Sequence, residues 1–240
     1  MQKTHLKIFL IFHYFLILTK IGNSQHIDTL AVTPFQVLGD TTGADVYAYG
    51  LPDAIANALS NIPEITVIER LRLSAVLQEL KLYQAGLITE KNIPSLGEML
   101  GAKLIIIGTV QKLGQEVRVN VRGVKAHSGE VIFGVQSEKR IEVFSDIFKL
   151  EDNLTQKIIS QLGLKSSDEN FSDEKSELNF SEKAFELYSK GLRYFDQGDY
   201  EKALKSIQKA AEIDENFNLT QKIRLKAQRA FEELERETKK

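Results

Sequence analysis

The chain of 240 residues is 42% apolar and holds four prolines, so most of it should fold, with room for one ordinary domain and a smaller unit. Its 31 basic and 33 acidic residues give a net charge of −2, which does not indicate a basic surface for nucleic acid. The absence of cysteine excludes disulfides, a thiol nucleophile, thiolate metal sites and a lipid-modified cysteine.

The first 24 residues have the pattern of a secretory signal peptide. Lys3 and Lys7 precede an apolar run from Ile8 to Leu18, and small residues follow at 22–24, where a signal peptidase would cleave. An uncleaved anchor is the alternative, although the run is shorter than the roughly 20 residues of a membrane-spanning helix. We expect residues 1–24 to be removed and the mature chain to be exported with no direct lipid anchor. Their removal takes away three lysines and no acid, which changes the net charge from −2 to −5.

Residues 25–164 begin with alternating strand and helix patterns. The apolar run Thr29–Val37 predicts a buried strand closed by Gly39. A helical face follows at 51–62, and Pro63 should end that helix. The β-branched stretch 65–70 predicts a second strand.

The stretch 68–89 predicts the next helix. Gly86 should end it, because glycine accepts the left-handed conformation at a helix C-terminus, and Leu87 should supply the accompanying contact. Its apolar residues recur at i, i+3, i+4, i+7 and i+10, a stripe that packs against a sheet: Leu73, Val76, Leu77, Leu80 and Tyr83.

The rest of this region predicts a short helix at 92–101, a strand at 102–113, a hairpin over Val117–Lys139 that turns at Ser128 and Gly129, and a closing helix at 145–163. Four consecutive apolar residues at 104–107 indicate a strand covered on both faces. The sequence therefore predicts an α/β (α+β) fold, a mixed sheet flanked by helices.

Polarity then separates two units. Residues 165–179 are nearly all polar or charged and predict a flexible linker. Residues 180–240 are helical in pattern, and their last amphipathic helix, from Leu219 to Leu234, is expected to cap the helices before it.

Three linked motifs follow one another along this region: "IERLRLSAVLQELKLYQAGL", "LGEMLGAKLIIIGTVQKLG" and "VRVNVRGVKAHSGEV". In order and spacing they resemble the curli production assembly/transport family of outer-membrane secretion proteins. The resemblance covers Asp28 to Leu164, with the TolB amino-terminal type of domain as a weaker relative. It implies an outer-membrane or periplasmic protein without enzymatic activity, in a family whose best known member assembles into a ring that lends hairpins to a membrane pore.

The pore hairpins of the family have no room here. Each would need on the order of 20 extra residues at its insertion point. The first insertion point holds only Lys112–Glu116, and the second, Ile141–Phe144, leads directly into the closing helix. Strands of the Val117–Lys139 hairpin are the alternative source of pore strands, but the family position assigns them to the globular sheet. We expect the family's scaffold without its channel.

Residues 184–217 resemble a tetratricopeptide repeat. Small and aromatic residues stand at the motif's positions, namely Gly191, Tyr194, Gly198, Tyr200, Ala203 and Ala210. Leu187, Ile207 and Glu215 replace the usual Trp, Phe and Pro. A single repeat cannot bury its own face, so other parts of the chain or a partner must cover it.

A second apolar stripe on the first repeat helix is the candidate partner-binding site: Phe185, Tyr188, Leu192 and Phe195. In the repeat family this face lines the groove where partners dock. A helix that is apolar on two faces is buried on two faces. The stripe is therefore covered either by the first unit or the C-terminal helix, or by a partner protein or a second copy.

Known catalytic and metal-binding patterns are absent from the sequence, so no catalytic, cofactor or metal residues are predicted. His127 reads as a turn residue. Glu69 and Arg70 form the most site-like charged pair, interpreted as an exposed pair worth about 0 to 1 kcal/mol or as a subunit contact.

We therefore expect a non-enzymatic periplasmic adaptor or assembly protein at the outer membrane, with other envelope proteins as partners, possible homo-oligomers and no cofactor. The alternatives are a subunit of an outer-membrane secretion channel and a regulator of cell-wall synthases.

Overall fold

The computed structural model describes residues 29–39, 43–82, 87–113, 116–137, 147–164 and 181–214, with single positions at 225, 228, 229, 232 and 236. The predicted signal 1–24, the linker 165–179 and most of the expected C-terminal helix lie outside the described residues. The predicted unit boundaries therefore stay predictions.

Six strands form one sheet, and the predicted mixed sheet is confirmed. They are β1 Thr29–Val32, β2 Gln36–Gly39, β3 Thr66–Val67, β4 Leu104–Leu113, β5 Glu116–Lys125 and β6 Val131–Gln136. The order is β3-β1-β4-β5-β6, and β2 also pairs with β4. The first three strands run parallel to their neighbours, whereas β4, β5 and β6 form antiparallel pairs.

The prediction of one continuous strand over Thr29–Val37 is wrong, because this stretch forms two strands, β1 and β2. β1 pairs with the start of β4, and β2 pairs with its end. Pro34 lies between them and has no N–H to donate to a ladder. The N–H of Phe35 donates to the carbonyl of Ala48 instead, at 2.8 Å.

Helices cover the sheet and extend beyond it. A π-helical turn at Val46–Gly50 leads directly into α1, and the others follow in chain order: α1 Leu51–Leu59, α2 Arg70–Glu79, α3 Ile93–Leu100, α4 Ile147–Gln161, α5 Glu182–Asp196 and α6 Tyr200–Ile213. Helix α1 ends at Leu59, before the predicted stop at Pro63.

Helix α2 also ends earlier than predicted. Its last residue is Glu79, and Lys81 takes the left-handed conformation, φ 58°, that the sequence suggested for Gly86. The N–H of Leu82 donates to Leu77 at 2.7 Å and that of Lys81 to Gln78 at 3.0 Å, the bond pattern of a Schellman cap. Gly86 and Tyr83 lie outside the described residues.

The core lies on both faces of the sheet. Alternate residues of β4 face opposite sides, so Ile105 packs with α2 and α3, whereas Ile106 packs with α1 and α4. Helices α5 and α6 join the second of these clusters, so the repeat and the sheet share one continuous apolar core.

Candidate functional site between the sheet and the helical repeat

The predicted partner-binding stripe on α5 is buried. Phe185, Tyr188, Leu192 and Phe195 are each at most 1% exposed. Helix α5 packs against α6 and also against the π-helical turn and α2. The ring of Phe185 meets that of Phe148 on α4 edge to face, with centroids 5.5 Å apart. Among the described residues, the first unit covers the stripe, and binding of another protein by these four residues stays a prediction.

Gly50 sets how closely α5 approaches the π-helical turn. A Cβ at this position would lie 2.2 Å from the Ser189 hydroxyl oxygen and 2.8 Å from the Phe185 ring. Every other residue type is too large without a shift of α5. The hydroxyl of Ser189 donates to the carbonyl of Phe185 at 2.7 Å, so this buried polar group is satisfied within α5.

A buried ion cluster joins α1, α2 and α5. Arg70, the first residue of α2, donates through Nε to Asp196 Oδ1 at 2.9 Å and through Nη2 to Oδ2 at 2.5 Å. Its Nη1 reaches Asp53 on α1 at 3.4 Å. The hydroxyl of Tyr188 donates to the other oxygen of Asp53. Two carboxylates, one guanidinium and one phenol therefore satisfy one another across the boundary between the two units.

Burial and the neighbouring opposite charge shift the pKa values of Arg70 and Asp196 in opposite directions. Burial lowers the pKa of Arg70, but the charges of Asp196 and Asp53 outweigh it and keep the guanidinium protonated. Burial raises the pKa of Asp196, and Arg70 only partly offsets that rise. Burial, with Asp53 beside it, raises the pKa of Tyr188 well above its usual range. The paired arrangement is required, because either ion alone would be buried without compensation.

A second set of hydrogen bonds ties α2 to the end of α5. The hydroxyl of Ser74 donates to the Phe195 carbonyl at 3.2 Å, and the amide nitrogen of Gln78 donates to the Ser74 hydroxyl at 3.2 Å. Gly198, at φ 78°, makes the turn between α5 and α6, and a Cβ there would lie 3.1 Å from Gln78 Oε1. The polar side chains of α2 therefore pack along the turn between α5 and α6.

The interpretation of Glu69 and Arg70 as an exposed pair, or as a subunit contact, is wrong for Arg70. Arg70 is only 7% exposed, and its partner Asp196 lies 126 positions further along the chain. The residues predicted from the sequence did not include Asp53 and Asp196. A signal was available, since Asp196 directly follows Phe195 and stands four residues after Leu192, on the apolar side of α5. An acid there requires a cation.

The repeat itself packs as its small residues predict. A Cβ on Gly191 would lie 2.6 Å from Ile207 and 3.3 Å from the Ala203 carbonyl oxygen. Ala203 and Ile207 are fully buried. Close approach of α5 and α6 therefore depends on glycine at 191.

Within the described ranges, no group of three His, Asp or Glu side chains is placed to hold a metal ion. His127 lies exposed in the turn between β5 and β6, as predicted. None of the helices that the structure describes is both long and apolar enough to cross a bilayer.

Comparison with known families identifies both parts. Residues 31–140 match the family of the curli production assembly/transport component CsgG. They form a domain of that family. Residues 184–217 match the tetratricopeptide repeat. The described contacts thus join a CsgG-family domain to one repeat, and the resemblance noted in the sequence is confirmed. No curated protein sequence matches the chain.

Solved structures resemble the CsgG-family region weakly. The LpoB C-terminal domain from Escherichia coli is 20% identical, with a TM-score of 0.36 over 46% of this chain and 80% of that chain. Lipoprotein GNA1162 from Neisseria meningitidis is 16% identical, with a TM-score of 0.43 over 56% and 96%. The PelC dodecamer from Paraburkholderia phytofirmans is 16% identical, with a TM-score of 0.37 over 58% and 89%. Likeness of this degree carries no functional argument.

Proposed function

We propose that this protein is a non-enzymatic adaptor or assembly component of the cell envelope, exported to the periplasm and associated with the outer membrane through other proteins. The observation that carries the proposal is a CsgG-family domain followed by a tetratricopeptide repeat in one chain. The buried ion cluster joins the two parts, which supports their acting together as one binding unit.

The length of the β4–β5 connection supports an adaptor over a channel subunit. Leu113 pairs with Glu116, so only two residues connect these strands. Nine residues separate Ser137 from Ile147 at the second place where the family inserts a hairpin. A membrane-crossing hairpin needs on the order of 20 residues.

The α5 stripe can serve in two ways, by packing within the chain and by binding a partner. In this structure Phe185, Tyr188, Leu192 and Phe195 hold the repeat against the π-helical turn and the helices of the first unit. A partner protein or a second copy would reach them only after α5 leaves the π-helical turn. Tyr188→Ser with Phe195→Ser tests this second use: unchanged oligomerisation and unchanged partner recovery, with folding intact, would remove it.

The main test follows the full-length protein in its own cells. We expect it in the periplasmic and outer-membrane fractions, and chemical crosslinking should recover envelope proteins with it. Mature protein added to liposomes should give no conductance, and it should show no turnover in hydrolase screens. Conductance with ring-shaped particles in detergent would establish a channel subunit instead, and specific binding to a penicillin-binding protein would establish a regulator of cell-wall synthases.

A further inference from the structure

One half of the sheet carries an exposed polar surface. Helices α2 and α3 cover the face of Ile105 and Val124. Further along the same face, by the alternation of strand residues, lie half-buried or exposed polar side chains that include Gln111 and Glu116. We term six others the open sheet face: Gln36, Thr109, Arg118, Asn120, Arg122 and Gln136.

Four of these side chains form a row across the strands. Gln36 of β2 pairs with Thr109 of β4, Thr109 with Asn120 of β5, and Asn120 with Gln136 of β6. Neighbouring strands lie about 4.8 Å apart, so the row is continuous. Asn and Gln amides each offer donors and an acceptor, which is the hydrogen-bonding complement of a peptide backbone.

Two guanidinium groups flank the row on β5. Arg118 and Arg122 are four strand residues apart, about 13 Å. Arg118 forms no ion pair with any described residue. Arg122 contacts Glu90, but both side chains are more than 40% exposed, so this pair contributes little and is easily displaced. Carboxylates placed four residues apart in an extended chain would match the two arginines.

An apolar wall borders the same surface. The segment 87–90 runs beside the row, and Ile88, Ile107 and Pro34 line a cleft there. The polar side chains of the same cleft are those of Gln36, Thr89, Glu90, Thr109, Asn120 and Arg122, so an acidic segment must displace Glu90 from Arg122. Such a wall accepts an aliphatic side chain, which a peptide carries and a carboxylate-bearing glycan lacks. The wall therefore favours a peptide as the occupant.

We propose that the open sheet face binds an extended acidic segment of a partner protein, lying along β5 with two carboxylates on Arg118 and Arg122. Recognition of acidic motifs by arginine groups is a recurrent mode of peptide binding. The amides of Asn120 and its neighbours hold the segment's backbone between the two arginines. Glu116, at the start of β5 on the same face, opposes a third carboxylate and fixes the register. This inference rests on the adaptor function and assigns it a surface.

The test uses the full mature chain and short fluorescein-labelled peptides. One peptide carries two glutamates separated by three residues, with leucine between them, and a second has the same composition with the glutamates adjacent. Fluorescence anisotropy should show saturable binding of the first peptide and binding at least about tenfold weaker for the second. Arg118→Gln with Arg122→Gln should weaken the first peptide by about tenfold or more, and Asn120→Ala by a smaller factor.

Lys125→Gln is the matched control, since Lys125 is a β5 cation on the opposite face and its loss should leave binding unchanged. The single variant Arg118→Gln keeps the test decisive if the double variant does not fold. Equal binding of both peptides, equal binding by the arginine variants, or tighter binding of oligogalacturonate than of peptide would overturn the proposal. If crosslinking still recovers envelope partners while the peptides fail, the inference falls and the adaptor function stands.

Discussion

Arg70 and Asp196 are the residues on which the attachment of the repeat depends. Their ion pair is bidentate and its side chains are 6% and 0% exposed. The net contribution of such a pair is small, because both ions lose their hydration. Its importance lies in geometry, since no other described cation neutralises Asp196.

Removal of one partner should therefore be costly. Asp196→Ala leaves the Arg70 guanidinium buried with only Asp53 nearby, and we expect it to lower the free energy of unfolding by about 3 to 5 kcal/mol. Urea denaturation checks this value. The double variant Arg70→Met with Asp196→Leu should recover much of the loss. Arg193→Ala breaks a pair with Asp45 that is about one third exposed, and a loss there as large as that of Asp196→Ala would contradict the explanation.

Tyr188 should make the protein sensitive to alkali. Its pKa is raised in the folded state by burial, so above pH 10 the unfolded chain releases the phenol proton while the folded chain keeps it. The unfolded state then binds fewer protons, and stability falls as the pH rises. Denaturation between pH 9 and about 11 should show a steeper decline for the native chain than for Tyr188→Phe.

At the scale of elements, the contact between the π-helical turn and α5 is fixed by Gly50. Gly50→Ala places a methyl group against Ser189 and Phe185, and overpacking of this kind costs about 1 to 3 kcal/mol. Thermal unfolding measures the loss. Adding Ser189→Ala should restore part of it, because the nearest atom is the Ser189 hydroxyl. Gly134→Ala, where the nearest atom is 4.0 Å away, should have a much smaller effect.

The end of α2 offers a stabilising change. Lys81 has a left-handed backbone, φ 58°, which costs an L-residue roughly 1 kcal/mol and costs glycine little. Lys81→Gly should therefore raise the free energy of unfolding by up to about 1 kcal/mol. Chemical denaturation gives the value. Lys91→Gly is the comparison, since residue 91 has no positive φ, and an equal gain there would refute the reason given.

The sequence predicts helices and strands well where a periodic apolar pattern ends at a residue, such as glycine, that stops the element. The helix before Gly101 and the hairpin about Gly129 are confirmed, because each glycine stands where the chain needs positive φ. The end of α2 could not be predicted, since a lysine took the position that favours glycine. The division of β1 from β2 depends on Pro34, which the apolar run around it concealed.

At the scale of the whole molecule, the CsgG-family domain and the repeat share one apolar core. We therefore expect a single cooperative unfolding transition in calorimetry, although the predicted linker would suggest two. Cleavage at a protease site engineered into 165–179 should leave the two fragments associated on gel filtration. The same cleavage in Asp196→Ala should release the repeat. Separate elution of the native fragments would show that the contacts between them are too weak to hold.

Sequence patterns predicted both units but not their attachment. The α5 stripe indicated that a cover exists, and its apolar chemistry is the same whether the cover is the sheet domain or a partner. The candidate groove residues were thus found and their contacts were not. The open sheet face was visible only in part, since Arg118, Asn120 and Arg122 alternate in the sequence whereas Gln36 and Gln136 join them through strand register.

The distance in sequence between Arg70 and Asp196 has a consequence for biogenesis. Translation completes α2 long before α5, so every nascent chain passes through a stage in which Arg70 has no aspartate at position 196. A product that terminates early, or one clipped before position 196, keeps only the contact between Arg70 and Asp53 and lacks the helix that covers Arg70. Quality-control proteases would thereby distinguish finished copies from incomplete ones by the stability of the domain synthesised first.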